Sequence, residues 1–99
     1  MSANPDTWGR ELNRVDDSPE TFNRIRAILL QHGRLGKNAM QLTESDDLYA
    51  AGMTSLASVN VMLALESEFE VEFPDQMLTR SMFLSIGAIR NALQKAAGA

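Results

Sequence analysis

Ser55 is the residue in this chain best placed to do chemistry. It stands in "GMTSLASVN", just after Gly52, near the head of the most apolar stretch of the sequence. A hydroxyl at the start of a helix has two uses. It can accept a backbone N–H as an N-cap, an effect of about 1 kcal/mol. It can also take a phosphate ester, because the free N–H groups and the dipole of a helix N-terminus favour negative charge. Gly52 lets the preceding loop turn sharply and leaves the hydroxyl open to a modifying enzyme. Thr54 competes with Ser55 for the capping role. Ser58 is the rival attachment point, one turn further in and without a following leucine. Ser45 and Ser67 read as solvated surface serines.

Other chemistry finds few residues to support it. Glu68, Glu70 and Glu72 would share one wet face, but no histidine lies near them to complete a metal site. "ESDDLYAAG" lacks the alternating ligands, central glycine and closing glutamate of a calcium loop. His32 is the only histidine and there is no cysteine. That leaves few nucleophile–base pairs and excludes thiolate zinc sites. No glycine-rich phosphate loop and no HExxH is present. Catalytic residues and metal ligands are therefore both read as none.

The elements that must position Ser55 are helical. Ninety-nine residues allow one domain with a modest core. Ser18 and Pro19 fit an N-cap and a first helical position, and Phe22, Ile25, Ile28, Leu29 and His32 recur at helical spacing up to Gly33. A long connection over 33–53 follows, pinned to the core by Leu35, Met40, Leu42, Leu48 and Tyr49. A second helix runs from Thr54 or Ser55 to Phe69, with Val61, Met62, Leu65 and Phe69 as its core stripe. "EFEVEFPD" alternates and reads as extended with one face buried. "DQMLTRSMF" has room for one short helix. A last helix starts near Ser85, with Ile86, Ile89, Ala92 and Leu93 on one face. The fold class is all-α: three longer helices and one short one, with a long ordered loop between the first two. Residues 1–17 read as a tail, 18–95 as the domain and 96–99 as a C-terminal tail. Trp8, Leu12 and Val15 offer the alternative of an extra docked helix.

Charge is unevenly spread. No lysine or arginine occurs from Asn38 to Thr79, a window with eight acidic residues, whereas the rest of the chain carries nine basic and five acidic ones. An acidic middle favours basic protein partners and argues against nucleic acid. The apolar runs are too short to span a membrane, and "MSANPDTWGRELNRVDD" is not a signal peptide. The expected setting is the cytoplasm.

"DDLYAAGMTSLASVNVMLALESEFEVEFPD" resembles the central segment of acyl carrier proteins. That family carries phosphopantetheine on a serine within Asp-Ser-Leu at the start of its second helix. Here the motif is Thr54-Ser55-Leu56, with the family glycine at Gly52 and the "VEFP" exit after the helix. The resemblance extends over 18–95 in helix order, and 46–75 carries its specificity. It implies a covalent 4'-phosphopantetheine on Ser55, derived from coenzyme A, whose thiol holds an acyl or aminoacyl group as a thioester. The missing cysteines then make sense, since the thiol belongs to the arm.

The implied partners are a phosphopantetheinyl transferase, a ligase or acyltransferase that loads cargo, and a downstream acyl-using enzyme of fatty acid or secondary metabolite biosynthesis. The chain itself is expected to be a monomer and not an enzyme. Leu56, Val59, Leu63 and Glu66 form the implied partner face. Ala57 and Asn60 stand where the family commonly has acids, and Thr54 replaces its aspartate. These departures point away from the general fatty acid synthase. "LYAAG", "ASV" and "EFPD" are closest to small bacterial carriers loaded with amino acids by separate ligases. Met53, Met62, Met77 and Met82 could line a cargo cavity or fill the core. The alternative function is a cofactor-free helical adaptor bound through the acidic middle segment.

Overall fold

The computed structural model describes residues 15–16 and 18–98. Helix α1 is Pro19–His32, and Ser18 caps it by accepting the Thr21 N–H. Asp16 extends that cap, taking hydrogen bonds from the hydroxyls of Ser18 at 2.6 Å and Thr21 at 2.7 Å. Helix α2 is Ser55–Phe69. Helix α3 is Ile86–Gly98, and Ser85 Oγ accepts the Ala88 N–H at 3.1 Å. Among the described residues there is no strand.

The three helices enclose a core in which Ile25, Leu29, Val61, Leu65, Phe69, Ile86, Ile89 and Leu93 are fully buried. The periodic positions read from the sequence thus form one core. Met62 is the exception in the α2 stripe, being only partly buried against the others.

The long connection is ordered by short local structure. A 3₁₀ segment, Gly36–Gln41, turns Ala39 fully inward and leaves Met40 49% exposed. Met40 therefore does not pin the loop; the tight three-residue turn gives that place to its neighbour. Leu35 and Leu48 are buried as expected, and Leu42 and Tyr49 pack partly against the core.

Two further expectations change. "DQMLTRSMF" forms two 3₁₀ segments, Asp75–Met77 and Arg80–Phe83, in place of one short helix. Leu78 at ψ 74° and Thr79, extended at ψ 164°, interrupt the helical path between them, and the second segment buries Met82 and Phe83. The last helix continues to Gly98, past the expected boundary at 95. Its final turns are alanine-rich, and alanine has the highest helix propensity.

Of the segment read as a tail, Trp8 and Leu12 lie outside the described residues. Val15 packs against the core, and its carbonyl accepts from Gln94 Nε2 at 3.3 Å.

Candidate functional site

A tight turn delivers Ser55 to the surface. Ala51 N–H donates to Asp47 O, Gly52 N–H to Tyr49 O and Met53 N–H to Leu48 O, each at 3.0 Å. Leu48 and Met53 are buried and anchor the turn from both ends. Gly52 has φ +121°, a left-handed conformation that side chains rarely adopt. The glycine singled out in the sequence is thus required by the backbone itself.

Thr54, not Ser55, is the cap. It is extended at ψ 166°, and its Oγ1 accepts the Ala57 N–H at 3.0 Å. Ser55 is the first residue of α2 and is exposed. Its hydroxyl has no hydrogen-bond partner among the described residues. Ser58 is 8% exposed, and its hydroxyl donates to Ser55 O at 2.6 Å. One serine is therefore open to solvent and unengaged, and its rival is turned back onto the helix.

Beside Ser55 lies an open groove of about 410 Å³ between α2 and the 3₁₀ segments. Val59, Met62, Leu78 and Phe83 supply apolar walls, and Tyr49 and Arg80 stand among the lining residues. The Arg80 guanidinium stacks on the Tyr49 ring at 3.8 Å from its centroid. Of the methionines considered for a cavity, Met62 lines this groove. Met53 and Met82 are buried in the core, and Met77 lies with Met82 along a separate depression against α3. Arg80 was not singled out in the sequence, because only the fold brings it to the groove that Ser55 also lines.

The outer face of α2 is apolar as well. Leu56 is 75% exposed, Val59 49% and Leu63 55%. At 100° per residue these positions and Ser55 share one side of the helix. Glu66 falls on the same side, but its Oε2 accepts the Phe73 N–H at 2.9 Å. Its carbonyl also accepts from Val71 N–H at 3.1 Å, closing the helix end over Glu70, which has φ 55°. Glu66 thus braces the exit of α2.

The acidic window is partly engaged within the chain. Glu68 pairs with Arg24 at 2.9 Å and Glu44 with Arg90 at 3.6 Å. Asp46 and Asp47 accept backbone N–H groups of Thr43 and Ala50.

The site suits a covalent phosphate ester. An unengaged hydroxyl stands at a helix N-terminus, and a groove lies beside it. The family profile described as "Phosphopantetheine attachment site" matches residues 24–93. The chain is similar to an aminoacyl carrier protein of Agrobacterium fabrum, with 44% identity over 71% of this chain and 84% of that one. It is also similar to aminoacyl carrier protein 1 of Bradyrhizobium diazoefficiens, with 37% identity over 68% and 80%. Among solved structures it matches the crystal structure of an engineered Bradyrhizobium japonicum glycine:[carrier protein] ligase complexed with carrier protein from Agrobacterium tumefaciens and AMP. There the TM-score is 0.70 and the identity 42%, over 74% of this chain and 97% of that one. The protein therefore belongs to the phosphopantetheine-attachment family of carrier proteins, a tethered carrier and not a catalyst.

Proposed function

We propose that this chain carries 4'-phosphopantetheine on Ser55 and presents an aminoacyl group, bound as a thioester, to partner enzymes. The observation that carries the assignment of Ser55 is the contrast between its exposed hydroxyl and the buried hydroxyl of Ser58, already donated to Ser55 O. Attachment requires a phosphopantetheinyl transferase and coenzyme A. The Ser55 Oγ bonds to the phosphorus of the pantetheine phosphate as the pyrophosphate link breaks. Adenosine 3',5'-bisphosphate leaves, and the serine proton passes to a base of the transferase. When bound, the arm supplies the thiol that the cysteine-free chain lacks.

The aminoacyl cargo is inferred from the relatives named aminoacyl carrier proteins. By the same likeness, an amino acid ligase is the proposed loading partner, and a downstream enzyme takes up the cargo. The cytoplasm is the proposed setting, where coenzyme A and the transferase would meet the chain; no described helix is long and apolar enough to cross a membrane. The proposed docking face is the exposed strip of Leu56, Val59 and Leu63, with Glu66 at its edge. Contiguous exposed apolar side chains commonly mark interaction sites, which supports this reading.

Incubation with coenzyme A, magnesium and a broad-specificity transferase should add one arm by intact mass. Fragmentation should place it on Ser55, and Ser55→Ala should abolish it while Ser58→Ala is modified normally. Modification that survives Ser55→Ala and is lost in Ser58→Ala would move the assignment to Ser58. A wild-type chain modified by no transferase would favour a cofactor-free adaptor.

A further inference from the structure

One charged side chain lines the groove beside Ser55, and it is a cation, Arg80. It sits in a protein of net charge −4, directly after a long window without basic residues. Its position is built into the fold. The segment Arg80–Phe83 is held by buried Met82 and Phe83. Leu48 N–H donates to Leu84 O at 2.8 Å, which ties that segment to the residue before Tyr49. Tyr49 O in turn accepts the Gly52 N–H in the turn that leads to Ser55. The ring of Tyr49 takes one face of the Arg80 guanidinium at 3.8 Å.

Stacking uses the face of a guanidinium and leaves its N–H edge available for an anion. It also restricts the side chain, so less freedom is lost when that edge is used. Among the described residues no carboxylate forms an ion pair with Arg80. The position before Ser55 is the neutral Thr54, so no acid at that place competes for the cation.

We propose that Arg80, held on Tyr49, is a positioning residue for the phosphodiester that joins the arm to Ser55. Arg80 donates charge-assisted hydrogen bonds to the phosphate oxygens. Fixing that phosphate fixes the direction in which the arm leaves α2, along the groove wall formed by Val59 and Met62. This rests on Ser55 being the attachment point, and the test separates the two.

Wild type, Arg80→Lys and Arg80→Gln are converted to the arm-bearing form, and intact mass and fragmentation confirm one arm on Ser55 in each. Phosphorus NMR at low salt should then show a shifted phosphodiester resonance in Arg80→Gln, with Arg80→Lys between it and wild type. In wild type, attachment should move the Arg80 Nε–H resonance. Salt at about 0.5 M should bring the wild-type phosphorus signal toward that of Arg80→Gln, because exposed charge pairs are screened. Melting temperatures of the arm-free forms should stay together, showing that Arg80 acts on the phosphate and not on the fold. Coincident phosphorus resonances in wild type and Arg80→Gln, with an unmoved Arg80 Nε–H, would overturn the inference while leaving Ser55 as the attachment point. An arm found on another residue, or none, would instead defeat the attachment reading, and mass alone reveals it.

Discussion

At the scale of residues, three neighbours divide the work at the head of α2. Thr54 caps through its Oγ1, Ser55 presents a free hydroxyl, and Gly52 provides the left-handed turn. On the proposed attachment to Ser55, this division separates stability from modification. Thr54→Ala should cost about 1 kcal/mol in urea unfolding and leave Ser55 available to the transferase. Ser55→Ala should change stability by less than about 0.5 kcal/mol, as surface substitutions away from such features do, and should block attachment. Gly52→Ala should cost about 1–2 kcal/mol because its Cβ strains a positive φ, although the nearest side-chain atom, on Leu35, is 3.7 Å away and leaves room. If Gly52→Ala unfolds like wild type, the turn is not held as described. The sequence pattern separated Ser55 from Ser58 by its place in the first turn and by the leucine that follows it. The decisive difference is burial, which depends on which side of α2 packs against the rest of the fold, and the motif does not encode that.

At the scale of elements, α2 is apolar on most of its circumference, and only packing tells core from docking face. Val61, Leu65 and Phe69 are fully buried, and Leu56, Val59 and Leu63 face out. Leu56→Ala and Val59→Ala should therefore stay within about 0.5 kcal/mol of wild type, whereas Leu65→Ala should lose about 2–5 kcal/mol. If the outer strip is the partner face, the first two should also slow loading by the ligase. Thermal melts with a loading assay distinguish the two effects. Glu66 has a structural role beside the partner-facing one expected of it, because its carboxylate holds the Phe73 N–H. Glu66→Lys should cost about 1 kcal/mol by removing that acceptor, and Glu66→Gln should retain most of it. A binding defect in Glu66→Lys alone would thus report on the end of α2 as much as on charge. Helix limits were legible because Ser18, Pro19 and Thr54 act locally. The 3₁₀ segments were not, since their turns answer to the burial of Ala39, Met82 and Phe83 by distant parts of the chain.

At the scale of the whole molecule, the long loop is fastened to α3, and this brings Ser55, Tyr49 and Arg80 together. Leu48 N–H donates to Leu84 O, and Gly87 N–H to Glu44 O at 2.9 Å. Glu44 also pairs with Arg90, whose guanidinium lies 5.6 Å from the Phe22 ring centroid on α1. None of these ties shows in hydrophobic spacing, so the sequence could place Ser55 on its helix but not Arg80 beside it. Gly87 tests the fastening. A Cβ there would stand 3.0 Å from Glu44 Cγ and 3.3 Å from Glu44 O. The side chain of Glu44 is exposed and can swing away, but its carbonyl is held by the very hydrogen bond that Gly87 donates. Alanine in place of glycine within a helix gains about 0.5–1 kcal/mol, and crowding a packed contact costs about 1–3 kcal/mol. The contact should win, so Gly87→Ala should be net destabilising by about 1 kcal/mol. Gly98→Ala is the control, since nothing lies within 4 Å of its Cβ position, and it should be neutral or slightly stabilising. Hydrogen exchange locates the effect: in Gly87→Ala the Leu48 amide should exchange faster, while the buried amides of α1 keep their relative order. A stabilised Gly87→Ala with an unchanged Leu48 amide would mean that the loop yields freely and that α3 does not hold the turn under Ser55.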